Sequence, residues 1–180
     1  MIVINFVHKH NIESKIDGNY QGKGTKIKKF FDNKYTPFHK SMEDECATEN
    51  LDFEKITKLI NNYIADLTNF EKINKITSQS KFRSSFLEEI SSYLFMNLKD
   101  IQSGKLGIFN KGIYAGLKIG ADLKVTVLKK DVDFCIGKKV TIEIEKNKND
   151  IILPLVAVEV KTYLDATMFG EVQFSSKTIK

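Results

Sequence analysis

The sequence predicts a mixed α and β fold, in the α/β (α+β mixed) class. In residues 53–67 and again in 80–98, apolar side chains recur at steps of three and four, which is typical of amphipathic helices. After residue 124 the period changes to two, as in a half-exposed strand. Residues 151–161 then form the most apolar stretch of the chain. We therefore expect helices followed by a sheet, in one domain overall.

The composition is that of a globular protein outside the membrane. With 180 residues and 42% hydrophobic residues, the chain is long enough to bury a core. Its two cysteines, Cys46 and Cys135, are far apart and have no partners at metal-like spacing, which argues against a disulfide framework. No stretch is long and apolar enough for a membrane span. A cytoplasmic protein without a membrane partner is expected.

The charge balance favours a polyanionic partner. Lysine and arginine together number 28 against 23 acidic residues, a net charge of +5. Arg83 is the single arginine. Lysines hold phosphates well but specify bases poorly, so this chain offers few residues for reading guanine edges.

Residues 1–46 are interpreted as a basic N-terminal segment with a short opening strand, preceding a core at 47–180. Glycines interrupt any periodicity, so a mobile segment is expected after the strand. The segment is either a phosphate-contacting arm or a solvated lysine-rich loop. Its lysines up to residue 40 are Lys9, Lys15, Lys23, Lys26, Lys28, Lys29, Lys34 and Lys40.

The predicted sheet follows the second helix. Five glycines in 104–120 indicate loops with short strand pieces. Alternation from Val125 to Ile144 predicts a half-exposed antiparallel meander. A turn is expected at 147–150, and Leu155 to Lys161 should form a central strand, with Pro154 only near a strand start or an irregularity.

Two opposite charges share one face of that central strand. Side chains alternate along a strand, so Glu159 and Lys161 point one way while Val158 and Val160 point the other. Burying ionic groups beside a sheet core costs several kcal/mol unless they are paired or bind a metal. The pair is therefore either a salt bridge at a strand end or part of a functional site.

A second carboxylate, Asp133, lies on an earlier strand and can approach Glu159 from a neighbouring position. Asp131 is an alternative at a spacing of two, but Asp133 precedes an apolar run and is expected to lie deeper. Two carboxylates repel unless a cation separates them, and oxygen ligands favour Mg²⁺.

These residues suit phosphodiester hydrolysis. Asp133, Glu159 and the Val160 carbonyl are the candidate Mg²⁺ ligands, and Lys161 would orient the attacking water. The bound cation would polarise a phosphoryl oxygen and acidify that water.

Three blocks of the sequence resemble a known family. Asp133 followed by Glu159-Val160-Lys161 is similar to the core motif of the PD-(D/E)XK nucleases. Residues 80–89, 133–139 and 157–168 resemble, in order and spacing, the blocks of type II restriction endonucleases of the DdeI kind.

The resemblance implies a restriction-endonuclease-like mixed central sheet flanked by helices, Mg²⁺ dependence and double-stranded DNA as substrate. It also implies a helix glutamate near the metal, here Glu88 or Glu89. Because two DNA strands require two active sites, a homodimer or a paired nuclease subunit is expected. The chain ends inside the helix expected after Lys161, so a domain truncated at its C-terminus is also expected.

Two other functions remain open on sequence alone. A catalytically incomplete DNA-binding or interaction fragment would fit the missing final elements. A repair or recombination nuclease that cuts by structure would fit the same fold. A zinc site is not expected, since His8, His10, His39 and Cys46 match no zinc spacing.

Overall fold

The computed structural model describes residues 3–48, 50–110 and 112–160, and these fall into two compact units. One unit comprises residues 6–98 and is helical. The other comprises the residues through Asn5 and those from Lys99 onward, and it contains the sheet. The boundary suggested after residue 46 falls within the helical unit.

The described residues of the helical unit form five α-helices joined by short connections. A single π-helical turn, Phe31–Tyr35, joins the second and third of them. A sixth helix of four residues belongs to the sheet unit. The helices are α1 Val7–Asp17, α2 Gly24–Phe30, α3 Thr36–Cys46, α4 Phe53–Asn74, α5 Phe82–Phe95 and α6 Lys99–Gln102.

The mobile segment expected in residues 1–46 is instead helical, so that part of the prediction was wrong. The short opening strand is represented among the described residues by one parallel bridge between Ile4 and Ile108. The lysine-rich part is helical because its apolar residues, among them Ile12, Ile27 and Met42, are buried together. Glycines lie between these helices or at their ends, so they separate the elements rather than prevent them.

The two helices that the apolar spacing predicted are confirmed as α4 and α5. Asp52 caps α4, because its carboxylate accepts a hydrogen bond from the Lys55 backbone N–H at 3.0 Å. At its other end, Lys75 adopts a left-handed conformation with φ 49°.

The helical unit has a large aromatic core. The Tyr63 ring stacks on Phe38 at 4.5 Å and lies 4.8 Å from Phe86. These contacts join α3, α4 and α5. The buried apolar residues of this core are Ile12, Ile27, Phe30, Tyr35, Phe38, Met42, Cys46, Ile56, Tyr63, Leu67, Ile76, Phe82, Phe86 and Tyr93.

The sheet is mixed, as the predicted α+β class requires. Its five strands lie in the order β1-β4-β5-β2-β3. The β2 and β5 strands are parallel, and the other neighbouring pairs are antiparallel. The strands are β1 Gly107–Phe109, β2 Ile113–Ile119, β3 Val125–Lys130, β4 Phe134–Ile144 and β5 Asn147–Val158.

Two details of the predicted sheet need correction. The strands β3 and β4 are not neighbours, so residues 125–144 do not form a meander. The hairpin turn lies at Glu145 and Lys146 rather than at 147–150. Both turn residues have positive φ, 48° and 66°, which is the conformation that tight two-residue hairpins require.

The central strand predicted for Leu155–Lys161 is confirmed for Leu155–Val158, because β5 is the third of five strands and ends at Val158. Glu159 and Val160 follow the strand, and Lys161 lies outside the described residues. The expected irregularity at Pro154 is also present. The register jumps from Ile136 opposite Val156 to Gly137 opposite Pro154, so Leu155 is an extra residue and is 70% exposed. A Cβ atom on Gly137 would lie 2.5 Å from the Leu153 carbonyl oxygen, so glycine permits this close approach.

Among the described residues, none of the helices combines the length and the apolar character needed to cross a membrane. The helix expected from Leu164 to Lys180 lies outside the described residues.

Candidate functional site

Asp133 lies immediately before β4, and its carboxylate contacts the chain just after β5. Its Oδ2 accepts a hydrogen bond from the Val160 backbone N–H at 2.8 Å. Glu159 is the residue that directly precedes this amide. The two sequence segments that carry the candidate site, 27 residues apart at this bond, are therefore adjacent in space.

The paired ends of β4 and β5 lie next to both carboxylates. The antiparallel pairing of the two strands ends with Phe134 opposite Val158. Asp133 directly precedes Phe134 and Glu159 directly follows Val158, so each carboxylate is one residue beyond the last pair.

This arrangement suits a divalent cation. Neighbouring carboxylates repel each other, and a cation bound by both offsets that repulsion. Mg²⁺ commonly uses one or two protein carboxylates and keeps several waters. Asp133 and Glu159 are both partly buried, so their charges are shielded from bulk water on one side.

Asp131 occupies a different position from Asp133. It is exposed, and its Oδ1 accepts a hydrogen bond from the Gly112 backbone N–H at 3.0 Å. This bond ties the loop before β4 to the start of β2. Of the two aspartates that the sequence left open, Asp133 is the one that contacts the Glu159-Val160 segment.

The remaining residue of the predicted site, Lys161, lies outside the described residues. Within residues 3–48, 50–110 and 112–160, no three or more His, Cys, Asp or Glu side chains are grouped so that they could hold a metal ion. The described part of the predicted site is thus a pair of carboxylates with the Val160 backbone.

Glu88 and Glu89 both lie on α5 in the helical unit. Glu88 is partly buried, whereas Glu89 is fully buried. The Glu89 Oε1 accepts hydrogen bonds from the Tyr35 and Tyr93 hydroxyls, at 2.8 and 3.0 Å. Glu89 is therefore part of the core of the helical unit, and the role of either glutamate at the candidate site stays a prediction.

Glu89 also caps the amino-terminal end of α1. Phe6, at the cap position, offers no side-chain acceptor, and the Glu89 Oε2 accepts the Lys9 backbone N–H at 3.0 Å. Burial nevertheless raises the pKa of Glu89 to about 6, although these donors act in the opposite direction. Burial, and then the negative charge of Glu89, raise the pKa of Tyr35 and Tyr93 far above the usual tyrosine range.

His8 is a second fully buried polar side chain in this core. Its Nδ1 lies 2.9 Å from the Ser85 hydroxyl, and its Nε2 lies 2.8 Å from the Tyr63 hydroxyl. Ser85 donates to the Phe82 carbonyl and accepts from Asn11, so the His8 Nδ1–H is the donor to Ser85 and Nε2 accepts from Tyr63. Burial lowers the pKa of His8 to about 3, which keeps the ring neutral.

The sequence did not predict the buried hydrogen bonds of His8 and Glu89 within the helical core. One signal was present: Phe82, Phe86, Glu89 and Tyr93 follow steps of four, three and four along the apolar face of α5. A glutamate at such a position is buried and needs partners. Those partners come from other helices and have no pattern in the local sequence.

Comparison with models of known protein families and with curated proteins found no match for this chain.

Proposed function

We propose that this chain is the catalytic core of a Mg²⁺-dependent type II restriction endonuclease, which hydrolyses double-stranded DNA at a specific short sequence. The hydrogen bond from Val160 to the Asp133 carboxylate supports the proposal, because it joins the two halves of the motif. The sequence blocks that resemble restriction endonucleases supply the reaction class.

In this proposal Asp133, Glu159 and the Val160 carbonyl would hold Mg²⁺. The bound cation would polarise a phosphoryl oxygen and favour loss of a proton from an attacking water. Lys161 would orient that water and stabilise negative charge developing on the phosphate. The water oxygen bonds to phosphorus, the bond to the leaving sugar oxygen breaks, and that oxygen takes up a proton.

Glu88 or Glu89 is the helix carboxylate that the family resemblance implies for such a site, and the choice between them stays a prediction. Since both DNA strands are to be cut, two such sites are needed. We therefore propose a homodimer or a pairing with a second nuclease subunit.

The direct test is cleavage of unmethylated phage DNA in Mg²⁺ and in EDTA. Discrete fragments are expected from the wild-type chain in Mg²⁺ alone, and none from Glu159→Gln or Lys161→Ala. The matched controls, Glu143→Gln and Lys138→Ala, remove the same charges from exposed positions on β4 and should cleave normally. Cleavage that survives in Glu159→Gln and Lys161→Ala would overturn the proposal.

A second pair of variants tests the choice between the two aspartates. Asp133→Asn should abolish cleavage, whereas Asp131→Asn should preserve it, because an amide oxygen can still accept the Gly112 N–H. The reverse result would move the metal site to Asp131. A folded chain that binds DNA without cutting it would support the incomplete DNA-binding fragment, and smeared or branched-substrate products would support a structure-specific nuclease.

A further inference from the structure

A shallow groove lies on the helical unit between α2, with the π-helical turn that follows it, and the carboxyl-terminal part of α4. Its volume is about 330 Å³. Three lysines and two asparagines line its sides, and two phenylalanines form its floor. The lining residues are Lys26, Lys29, Phe30, Asn33, Lys34, Phe70 and Asn74.

The floor of the groove is a fixed aromatic pair. The rings of Phe30 and Phe70 stack at 4.4 Å with an interplanar angle of 23°. Phe30 is buried in the core, while Phe70 is partly exposed toward the groove. Next to it, the Asn74 amide donates to the Phe70 carbonyl, which holds that side chain in place. The groove therefore has a rigid apolar base.

The lysines of α2 and of the π-helical turn differ in whether they form ion pairs. Lys28 pairs with Asp32 at 2.8 Å, and Lys34 pairs with Asp66 at 3.0 Å. Lys26 and Lys29 are exposed, and neither has an ion-pair partner within the described residues. Three residues apart on one helix, they project from the same face. Two uncompensated positive charges thus border the apolar floor.

We propose that this groove binds the sugar-phosphate backbone of DNA, an inference that rests on the proposed nuclease function. The ammonium groups of Lys26 and Lys29 would contact neighbouring phosphates, Asn33 would donate to a phosphate or sugar oxygen, and Phe70 would pack against a sugar.

The groove contact is independent of base sequence. Lysine ammonium groups hold phosphates but carry no sequence information. Arg83, the single arginine, is engaged by Glu71 at 2.8 Å and by Thr68 at 3.1 Å. The groove would therefore position the helical unit on DNA. Removing its lysine charges would weaken binding by a similar factor for every DNA sequence.

The experiment measures binding of the whole chain to a short labelled duplex in EDTA, where cleavage does not interfere, at several salt concentrations. Each phosphate contact contributes about 0.9 to the slope of log affinity against log salt. The double variant Lys26→Gln/Lys29→Gln should lower that slope by about 1.8 and weaken binding roughly tenfold at physiological salt. The control Lys40→Gln/Lys58→Gln removes the same charge from exposed positions outside the groove and should bind almost as the wild type does.

Three outcomes would overturn the groove assignment. The first is an unchanged salt slope of DNA affinity in the double variant. The second is an equal loss of DNA affinity in the control pair. The third is a double variant that loses binding to poly-glutamate but not to duplex DNA, which would indicate an acidic peptide as the partner.

Failure of the groove assignment is separable from failure of the nuclease proposal. If the chain cleaves DNA in Mg²⁺ and the double variant keeps the wild-type salt slope, only the groove assignment is rejected. If the double variant lowers the salt slope but the wild-type chain does not cleave DNA, only the nuclease proposal is rejected.

Discussion

Three influences act on the charge of Glu89 in the helical core, and they differ in direction. Burial disfavours its charge, while two tyrosine hydroxyls and the amino-terminal amides of α1 favour it. Burial dominates, so the folded-state pKa of about 6 exceeds the ordinary value of 4.5. The folded state is therefore more stable, relative to the unfolded chain, when Glu89 carries a proton.

Glu89 and His8 make opposite contributions to the pH dependence of stability. The pKa of Glu89 is raised on folding, so its contribution is fully present below pH 4.5 and is lost as pH rises through 6. The pKa of His8 is lowered from 6.5 to about 3, so its contribution is present above pH 6.5 and is lost as pH falls toward 3. Between pH 4.5 and 6 the two slopes offset each other.

We therefore predict that Glu89→Gln changes the pH profile as well as the stability. The amide cannot accept the Lys9 N–H through nitrogen, so the variant should lose about 1–3 kcal/mol. The free-energy difference between wild type and variant should fall by on the order of 2 kcal/mol from pH 4.5 to 6. Urea unfolding followed by circular dichroism at several pH values measures this difference.

A constant difference for Glu89→Gln would show that Glu89 titrates at its ordinary pKa in the folded protein.

The hairpin of β4 and β5 depends on a turn whose residues are poorly suited to it. Glu145 and Lys146 both adopt left-handed conformations, which glycine, asparagine and aspartate occupy more readily. The Glu145 carboxylate compensates in part, because it accepts a hydrogen bond from the Val125 backbone N–H at 3.3 Å.

Lys146→Gly should stabilise the hairpin by about 0.5–1 kcal/mol, because it removes the strain at φ 66° without disturbing the Glu145 bond. Urea unfolding of the whole chain measures the effect. The control Lys148→Gly places glycine in a regular strand and should destabilise by a similar amount. If both variants destabilise the protein, the left-handed turn is not the conformation that limits this hairpin.

The elements of this fold were predictable where their signal is local. The spacing from Phe53 to Leu67 was sufficient to identify α4, and the alternation from Val140 to Ile144 identified β4. The sheet order was not predictable, because β5 is inserted between β4 and β2 through long-range pairing that leaves no periodicity in the sequence. The helices α1 to α3 were missed because exposed lysines dominate their composition while few apolar residues mark the buried side.

The molecule is built from two compact units, and the chain enters the sheet unit twice. The residues through Asn5 join the sheet unit, since the Ile108 backbone N–H donates to the Val3 carbonyl at 2.9 Å and Asn5 donates back to Ile108 at 3.3 Å. The chain then forms the helical unit and returns to the sheet at Lys99. Sequence composition placed a boundary after residue 46, where charge density changes, although packing continues through that point.

We predict that residues 6–98 fold without the sheet unit, because their core contains fourteen buried apolar residues that all lie within this range. The isolated segment should be helical and unfold cooperatively in urea, with a slope of roughly 1 kcal/mol per molar. Circular dichroism at increasing urea concentration checks this. A segment without a cooperative transition would show that the helical unit requires the sheet unit for its stability.

The candidate site was predictable to the level of its motif, and the structure adds its geometry. Alternation in the sequence predicted that Glu159 and Lys161 point to the same side. The choice of Asp133 over Asp131 required the contact between Asp133 and Val160, because no local sequence pattern predicts that contact.

The pairing of β4 with β5 also restricts how this protein can change in evolution. A single-residue insertion or deletion in either strand, between the hairpin turn and the carboxylates, would shift the register and move Asp133 away from the Val160 amide that it contacts. The same change within the turn would alter only the loop. Length variation among relatives of this chain is therefore expected at residues 145–146, and strand lengths should vary only where a compensating bulge, like that at Leu155, restores the register.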